Sequence, residues 1–170
     1  MTKIVVLSDT HDNLEAVKKV LKYIKEIDPS FIVHSGDIIS PFSLKMFSST
    51  GKKTYFVYGN NDGEKILLSK LAEQLGFTIE EQPLFIDHEK YRIVVLHGVN
   101  GKDKTKRLVR ALAKSGEFDL VIYGHTHEAE VLNINGTLIV NPGELSGYLS
   151  GKSTFAIVDL DKKEVKIKEL

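Results

Sequence analysis

Cysteine is absent from the 170 residues. Disulfides and thiolate metal sites are thereby excluded. Any metal must be held by carboxylate, imidazole, amide or water, the donors of hard and borderline ions. Neither sign of charge is in excess, since Lys plus Arg and Asp plus Glu each number 23. A zero balance gives no general attraction for nucleic acid or for an anionic membrane. Arg occurs only at positions 92, 107 and 110, which argues further against strong polynucleotide binding. Long apolar runs are missing as well. No stretch approaches a membrane span, and the run after Met1-Thr2-Lys3 is too short for the core of a signal peptide. A cytoplasmic location is expected. There is no Gly-x-Ser-x-Gly motif to offer a protein nucleophile. Repeats, linkers and low-complexity segments are lacking, so residues 1–170 are expected to form one domain.

What is present is an ordinary globular composition, 42% hydrophobic and 27% charged, in a chain long enough to bury a full core. Short β-branched runs predict strands at 3–7, 31–34, 54–58 and 120–123. Apolar residues at helical spacing follow Asn13, a fitting N-cap, and Pro29 lies past the end of that helix. Further helices are predicted near 43–47, over 66–75 before Gly76, and over 106–114. Segments 84–86 and 92–96 flank a polar turn at 87–90 and predict a hairpin. Segments 131–134 and 137–140 predict another, joined by Asn135-Gly136, a pair that a type I′ turn favours. Strands at 154–159 and 165–168 close the chain. Strand and helix alternate early, and strands dominate late, which predicts mixed sheets with helices outside.

Polar residues cluster where five predicted strands end. They are Asp9 and His11, then Asp37, then Asn60, then His97, then His125 and His127. Ligands of α/β sheets bind beyond the carboxyl ends of strands, so clusters distant in sequence can meet there. The donor types suit two borderline divalent ions, with Asp37 the natural bridging carboxylate. Gly36 and Gly59 permit tight turns beside the donors. Two ions about 3.5–4 Å apart clamp the attacking and leaving oxygens of an in-line displacement, and they acidify bound water toward a pKa of about 7, making a hydroxide nucleophile.

Asp9-x-His11, Gly36-Asp37, Gly59-Asn60, His97 and Gly124-His125-x-His127, in this order over nearly the whole chain, resemble the motifs of the calcineurin-like metallophosphoesterases. The small size and Asn141-Pro142-Gly143 resemble the compact bacterial and archaeal phosphodiesterase branch, which includes the retromer-subunit scaffold of eukaryotes. The resemblance implies a four-layer α/β/β/α sandwich of two facing mixed sheets with outer helices. It implies one ion on Asp9, His11, Asp37 and His127, and a second on Asp37, Asn60, His97 and His125. Mn²⁺ is the expected ion, with Ni²⁺, Fe and Zn²⁺ as rivals. Self-association into a homodimer is also implied.

The sequence departs from the family at one place. Many members carry a His after the motif Asn, oriented by an Asp three residues past the bridging Asp. Here those positions are Asn61 and Ser40, and Pro41 replaces the usual Arg. Asn61 cannot act as a general acid near neutral pH, a step that supplies roughly 10²–10⁴-fold. The expected activity is therefore hydrolysis of small phosphodiesters with good leaving groups, involving Asn60, Asn61 and His97, and Asn61 is expected to reach a phosphate oxygen. The alternative is a catalytically weak binding scaffold of the same fold. A nuclease is disfavoured by the charge balance, and Lys102, Lys104, Lys106, Arg107 and Arg110 read as a solvated helix face. His34 reads as core packing and His88 as solvated. Asp12, Asp62 and Glu144 are at most helpers of the donors, and Asn141-Pro142-Gly143 reads first as a tight turn.

Overall fold

Parity along the strands decides what each side chain touches. In β1 (Lys3–Leu7), Ile4 and Val6 enter one core while Val5 and Leu7 enter another. That is the two-residue period of a strand buried on both faces. The computed structural model describes residues 2–170. After β1 come α1 (Leu14–Ile27), β2 (Phe31–His34), α2 (Pro41–Met46), a 3₁₀ turn at Phe47–Thr50, β3 (Thr54–Val57), α3 (Lys65–Leu75) and β4 (Thr78–Glu80). The hairpin of β5 (Leu84–His88) and β6 (Tyr91–Val95) follows, then α4 (Lys102–Lys114), β7 (Leu120–Ile122), β8 (Ala129–Ile134), β9 (Thr137–Pro142), β10 (Thr154–Asp159) and β11 (Glu164–Glu169).

Six strands form one sheet in the order β11-β10-β1-β2-β3-β4, and five form the other in the order β5-β6-β7-β9-β8. In the first, β1 to β4 run parallel and β10 lies antiparallel to β1. In the second, β6, β7 and β9 run parallel, with β5 and β8 antiparallel on the edges. Both sheets are mixed, as expected. The central core draws Ile4, Val6 and Val33 from one sheet and Ile93, Val95 and Ile122 from the other. Val17, Val20 and Leu68 pack helices on the outer face of the first sheet. Val109 and Ala113 pack α4 against Val121 and Ile139 of the second. The result is four layers, helix, sheet, sheet and helix.

Local chemistry explains the boundaries. Asn13 caps α1 by accepting the Ala16 N–H at 3.1 Å. Asn135 and Gly136 both take positive φ, as a type I′ turn requires. Of the boundaries that differ from expectation, three have a local cause. The first hairpin closes more tightly, with His88 paired to Tyr91 across Glu89-Lys90. α2 begins at Pro41 rather than 43, and Pro suits the first helical position. α4 begins at Lys102 rather than 106, because Thr105 is the residue that faces inward. Its hydroxyl accepts from the Val99 N–H at 2.9 Å and lies 2.9 Å from the Gly101 carbonyl.

His34 is fully buried between Phe47 and Phe56. Its Nδ1 accepts the Gly36 N–H, so Nε2–H donates to the Thr10 hydroxyl at 2.6 Å. Burial drives its pKa down to about 3, with the His97 charge adding to that effect and Asp9 opposing it. The unfolded chain therefore takes up this proton near pH 6.5 and the folded chain does not. Stability from this group is intact above 6.5 and falls progressively between 6.5 and 3. His11 and His97, whose pKa values are raised, act in the opposite sense. We expect His34→Gln to lose a few kcal/mol less than the wild type between pH 7 and pH 4, read from urea midpoints. His88 is half-buried and edges onto Phe31 at 4.9 Å, so it is packed rather than solvated. Among the described residues no helix is long and apolar enough to cross a membrane.

Candidate metal centre

The loops after β1, β2, β3, β6 and β7 meet at one end of the two sheets. Backbone bonds hold them in register. Asp9 N–H donates to the Gly36 carbonyl and His11 N–H to the Asp37 carbonyl, while Gly124 N–H donates to the His97 carbonyl. Asp9, His11, Asp37, His125 and His127 all take left-handed φ, between 43° and 66°. Such conformations are uncommon outside glycine, and they aim these side chains into a shared space.

All seven expected donors converge there. Asp9 Oδ1 lies 3.4 Å from His127 Nε2 and 3.8 Å from His11 Nε2. Asp37 Oδ2 lies 3.5 Å from His11 Nε2 and 3.4 Å from His97 Nε2. Asn60 Oδ1 lies 2.9 Å from both His97 Nε2 and His125 Nδ1. The donor atoms of Asp9, His11 and His127 fall within 4.8 Å of one another, as do those of Asp9, Asp37 and His97.

Close approach of the loops depends on missing Cβ atoms. A Cβ on Gly36 would sit 2.5 Å from His97 Nδ1, and one on Gly59 would sit 2.1 Å from Asp37 Oδ1. One on Gly98 would meet His125 Cβ at 2.6 Å, and one on Gly124 would meet Ser8 Oγ at 2.0 Å. Each glycine thus makes room for a donor, or a donor's neighbour, from another strand end. Gly59 has no positive φ, so space and not turn geometry is what it supplies.

A set of buried polar groups holds the donors in place. Glu144 is fully buried, and its carboxylate accepts from His127 Nδ1 at 2.8 Å, from Ser146 and from the backbone of Leu149 and Ser150. Burial pushes its carboxyl up, but these bonds outweigh burial and bring it down to about 2. Asp62 accepts the N–H groups of Asp37, Ile39 and Gly59, which ties the second donor loop to the third. Asp12 accepts from Ser40 and Ser43. Asn141, near the end of β9, is fully buried; its Oδ1 accepts the Gly143 N–H at the turn, and its amide donates to the Gly124 carbonyl and the Thr126 hydroxyl, bracing the loop that carries His125 and His127. Gln82 accepts from the N–H of His97 and of Gly98, a role with no sequence signal.

Asn61 lines the cleft and also grips the shared carboxylate. Its backbone N–H donates to Asp37 Oδ1 at 2.8 Å and its amide to Asp37 Oδ2 at 2.7 Å. Burial works against the Asp37 charge, yet His97 and Asn61 more than compensate, so this carboxyl ionises well below the usual range. A cleft of about 380 Å³ opens over the donors, lined in part by Asn60, Asn61, His125, His127, Lys102 and Leu149. Lys104 and Arg107 are exposed, as a solvated helix face requires, but the other three cations of α4 named above are paired. Lys102 and Lys106 pair with Glu128, Arg110 pairs with Glu130, and Lys102 forms part of the cleft wall.

These residues fit divalent cations. Asp9 Oδ1 and His11 Nε2 are buried atoms without a hydrogen-bond partner. His97 Nδ1 faces the Ser35 carbonyl and His127 Nδ1 faces Glu144, both hydrogen-bond acceptors. The bonds they make leave Nε2 as a lone pair pointing at the oxygens of Asp37, Asn60 or Asp9. A ring nitrogen anchored to carbonyl or carboxylate, with the other nitrogen free, is the usual state of a ligating imidazole. Two lone pairs facing one another need a cation or a proton between them. The two donor sets expected from the sequence would be Asp9, His11, Asp37 and His127 for one ion and Asp37, Asn60, His97 and His125 for the other, and the tightest groups among them are Asp9, His11 and His127, and Asp9, Asp37 and His97.

Comparison with known proteins points the same way. The model of the calcineurin-like phosphoesterase superfamily domain matches residues 2–163. A phosphodiesterase of Methanocaldococcus jannaschii is 33% identical over 163 residues, which cover 95% of each chain. A solved archaeal phosphodiesterase superposes with a TM-score of 0.91 at 32% identity, over 99% of this chain and 100% of that one. Vps29 of Chaetomium thermophilum has the same fold, with a TM-score of 0.73 at 16% identity over 100% and 97% of the two chains.

Proposed function

The chain belongs to the calcineurin-like phosphoesterase superfamily, and on that premise we propose that it is a two-metal phosphodiesterase acting on small diesters. The observation that supports this most directly is the sharing of Asp37, whose Oδ2 lies within 3.5 Å of one imidazole from each donor set. Two divalent cations in these sets would acidify a water and neutralise charge on the phosphate. Mn²⁺ is the proposed ion, since oxygen and imidazole donors without thiolate suit it, and Ni²⁺, Fe or Zn²⁺ would fit the same donors.

The chain's own groups set the reaction's limits. Glu144 and the Ser35 carbonyl fix the rings of His127 and His97, so their free nitrogens face inward. Asn60 supplies an amide oxygen between His97 and His125. Asn61 holds Asp37 and offers no titratable proton. Both imidazoles that reach the cleft, His125 and His127, belong to donor sets. A departing alkoxide would thus find no side-chain acid of suitable pKa beside it. Esters that leave as stable anions should react best, and a monoester's extra charge has no Arg clamp to meet it.

The test is turnover of bis(4-nitrophenyl) phosphate and 4-nitrophenyl phosphate by purified protein with added Mn²⁺. The diester should be hydrolysed faster by at least about tenfold in kcat/KM. A preference for the monoester overturns the diester reading. Bound metal with no turnover of either would instead support a binding scaffold.

A further inference from the structure

One wall of the cleft is built in an unusual way. Residues Gly147, Tyr148, Leu149, Ser150 and Gly151 form a lip, with both glycines at positive φ. Leu149 is 76% exposed, Tyr148 beside it is 64% exposed, and Leu149 lines the cleft together with Asn60, Asn61 and His127. An exposed Leu alone is ordinary. This one is held by a buried charge. The fully buried Glu144 accepts the Leu149 N–H at 2.9 Å and the adjacent Ser150 N–H, while its other oxygen aligns His127. Burying a carboxylate is costly unless it is fully hydrogen-bonded. Here two of its bonds fix the backbone under a solvent-facing apolar side chain, and do so relative to a donor of the metal centre.

The chemistry of the rest of the wall says what this side chain meets. Lys102, the cation in the cleft, is already paired with Glu128 at 2.8 Å, and Lys106 shares that carboxylate. Among the described residues that line the cleft, no other cation is supplied for a second anionic group. We propose that Leu149 is a specificity-determining residue that docks an uncharged apolar ester arm, aryl or alkyl, of the diester. This rests on the reading of the chain as a phosphodiesterase and narrows its substrate class. Covering Leu149 with such an arm removes apolar surface from water, which a small hydrophilic arm cannot do.

Calorimetric titration of the Mn²⁺-loaded full chain with diphenyl phosphate and with dimethyl phosphate tests this without relying on turnover. The wild type should bind diphenyl phosphate about tenfold more tightly than dimethyl phosphate. In Leu149→Ser, a change at an exposed position that the fold should tolerate, that ratio should collapse toward unity. Equal affinities in the wild type, or a ratio retained in Leu149→Ser, overturns the role of Leu149 while leaving the phosphodiesterase reading intact. Failure of both diesters to bind, with no hydrolysis of bis(4-nitrophenyl) phosphate, overturns both.

Discussion

If the centre holds two cations as proposed, Asp37→Asn should lower the metal content of the Mn²⁺-loaded protein by at least one ion and lower kcat/KM for a nitrophenyl diester by about 10³-fold or more. The substitution keeps the volume of the side chain, so packing is not the issue. Both Asp37 oxygens accept hydrogen bonds from Asn61, one from its backbone and one from its amide. Whichever way an Asn amide is turned, its NH₂ faces one of these donors. The negative charge beside His11 and His97 is lost as well, and Asp37 is the carboxylate that touches both donor sets. Metal content by emission spectroscopy after dialysis and steady-state kinetics check the result. The far-UV circular dichroism should match the wild type. Retention of both ions with near-normal turnover would mean that Asp37 bridges nothing.

Gly59→Ala should destabilise the fold by about 4 kcal/mol, on the order of 10 °C in melting temperature, and abolish measurable diester hydrolysis. The added Cβ would lie 2.1 Å from Asp37 Oδ1 and 2.5 Å from the Asp37 backbone nitrogen. The nitrogen cannot move without dragging β2's loop and its bond to Asp62. The carboxylate cannot move without leaving Asn61 and the imidazoles. Gly63→Ala, four residues on, is the control. Nothing lies within 4 Å of its Cβ, so it should stay within about 0.5 kcal/mol of the wild type. Thermal melts and a nitrophenyl assay of the pair separate steric crowding from any general effect of losing a glycine.

Much of this could be read from the residues alone, and the misses share a physical cause. The strands of the parallel cores announce themselves as β-branched runs because both faces are buried, as in β1 and β2. All seven donors stand out because polar groups at the ends of apolar strands are conspicuous. β4 was not expected, since it is three residues long, carries a Glu and is only partly covered. The start of α4 is hidden because its inward residue is Thr105, whose polarity masks the helical period. Glu144 was expected to help the donors, but Asn141 and Gln82 act through hydrogen bonds to loops 15 to 17 residues away. Nothing in a linear pattern encodes such partners. Asn61 is the opposite case, since its absence of an imidazole was evident but its grip on Asp37 was not.

The left-handed backbone at five of the seven donors bears on how this chain would respond to selection in the laboratory. Such residues each cost roughly 1–2 kcal/mol relative to a relaxed conformation. Bound cations would offset that tension through mass action, and an ion-free chain has no such relief. A screen for heat resistance alone, run with a chelator, should therefore enrich replacement of His125 by glycine, since Asp9 and His127 also hold buried hydrogen bonds that glycine would lose. The hardiest survivors would be chains that have discarded their chemistry.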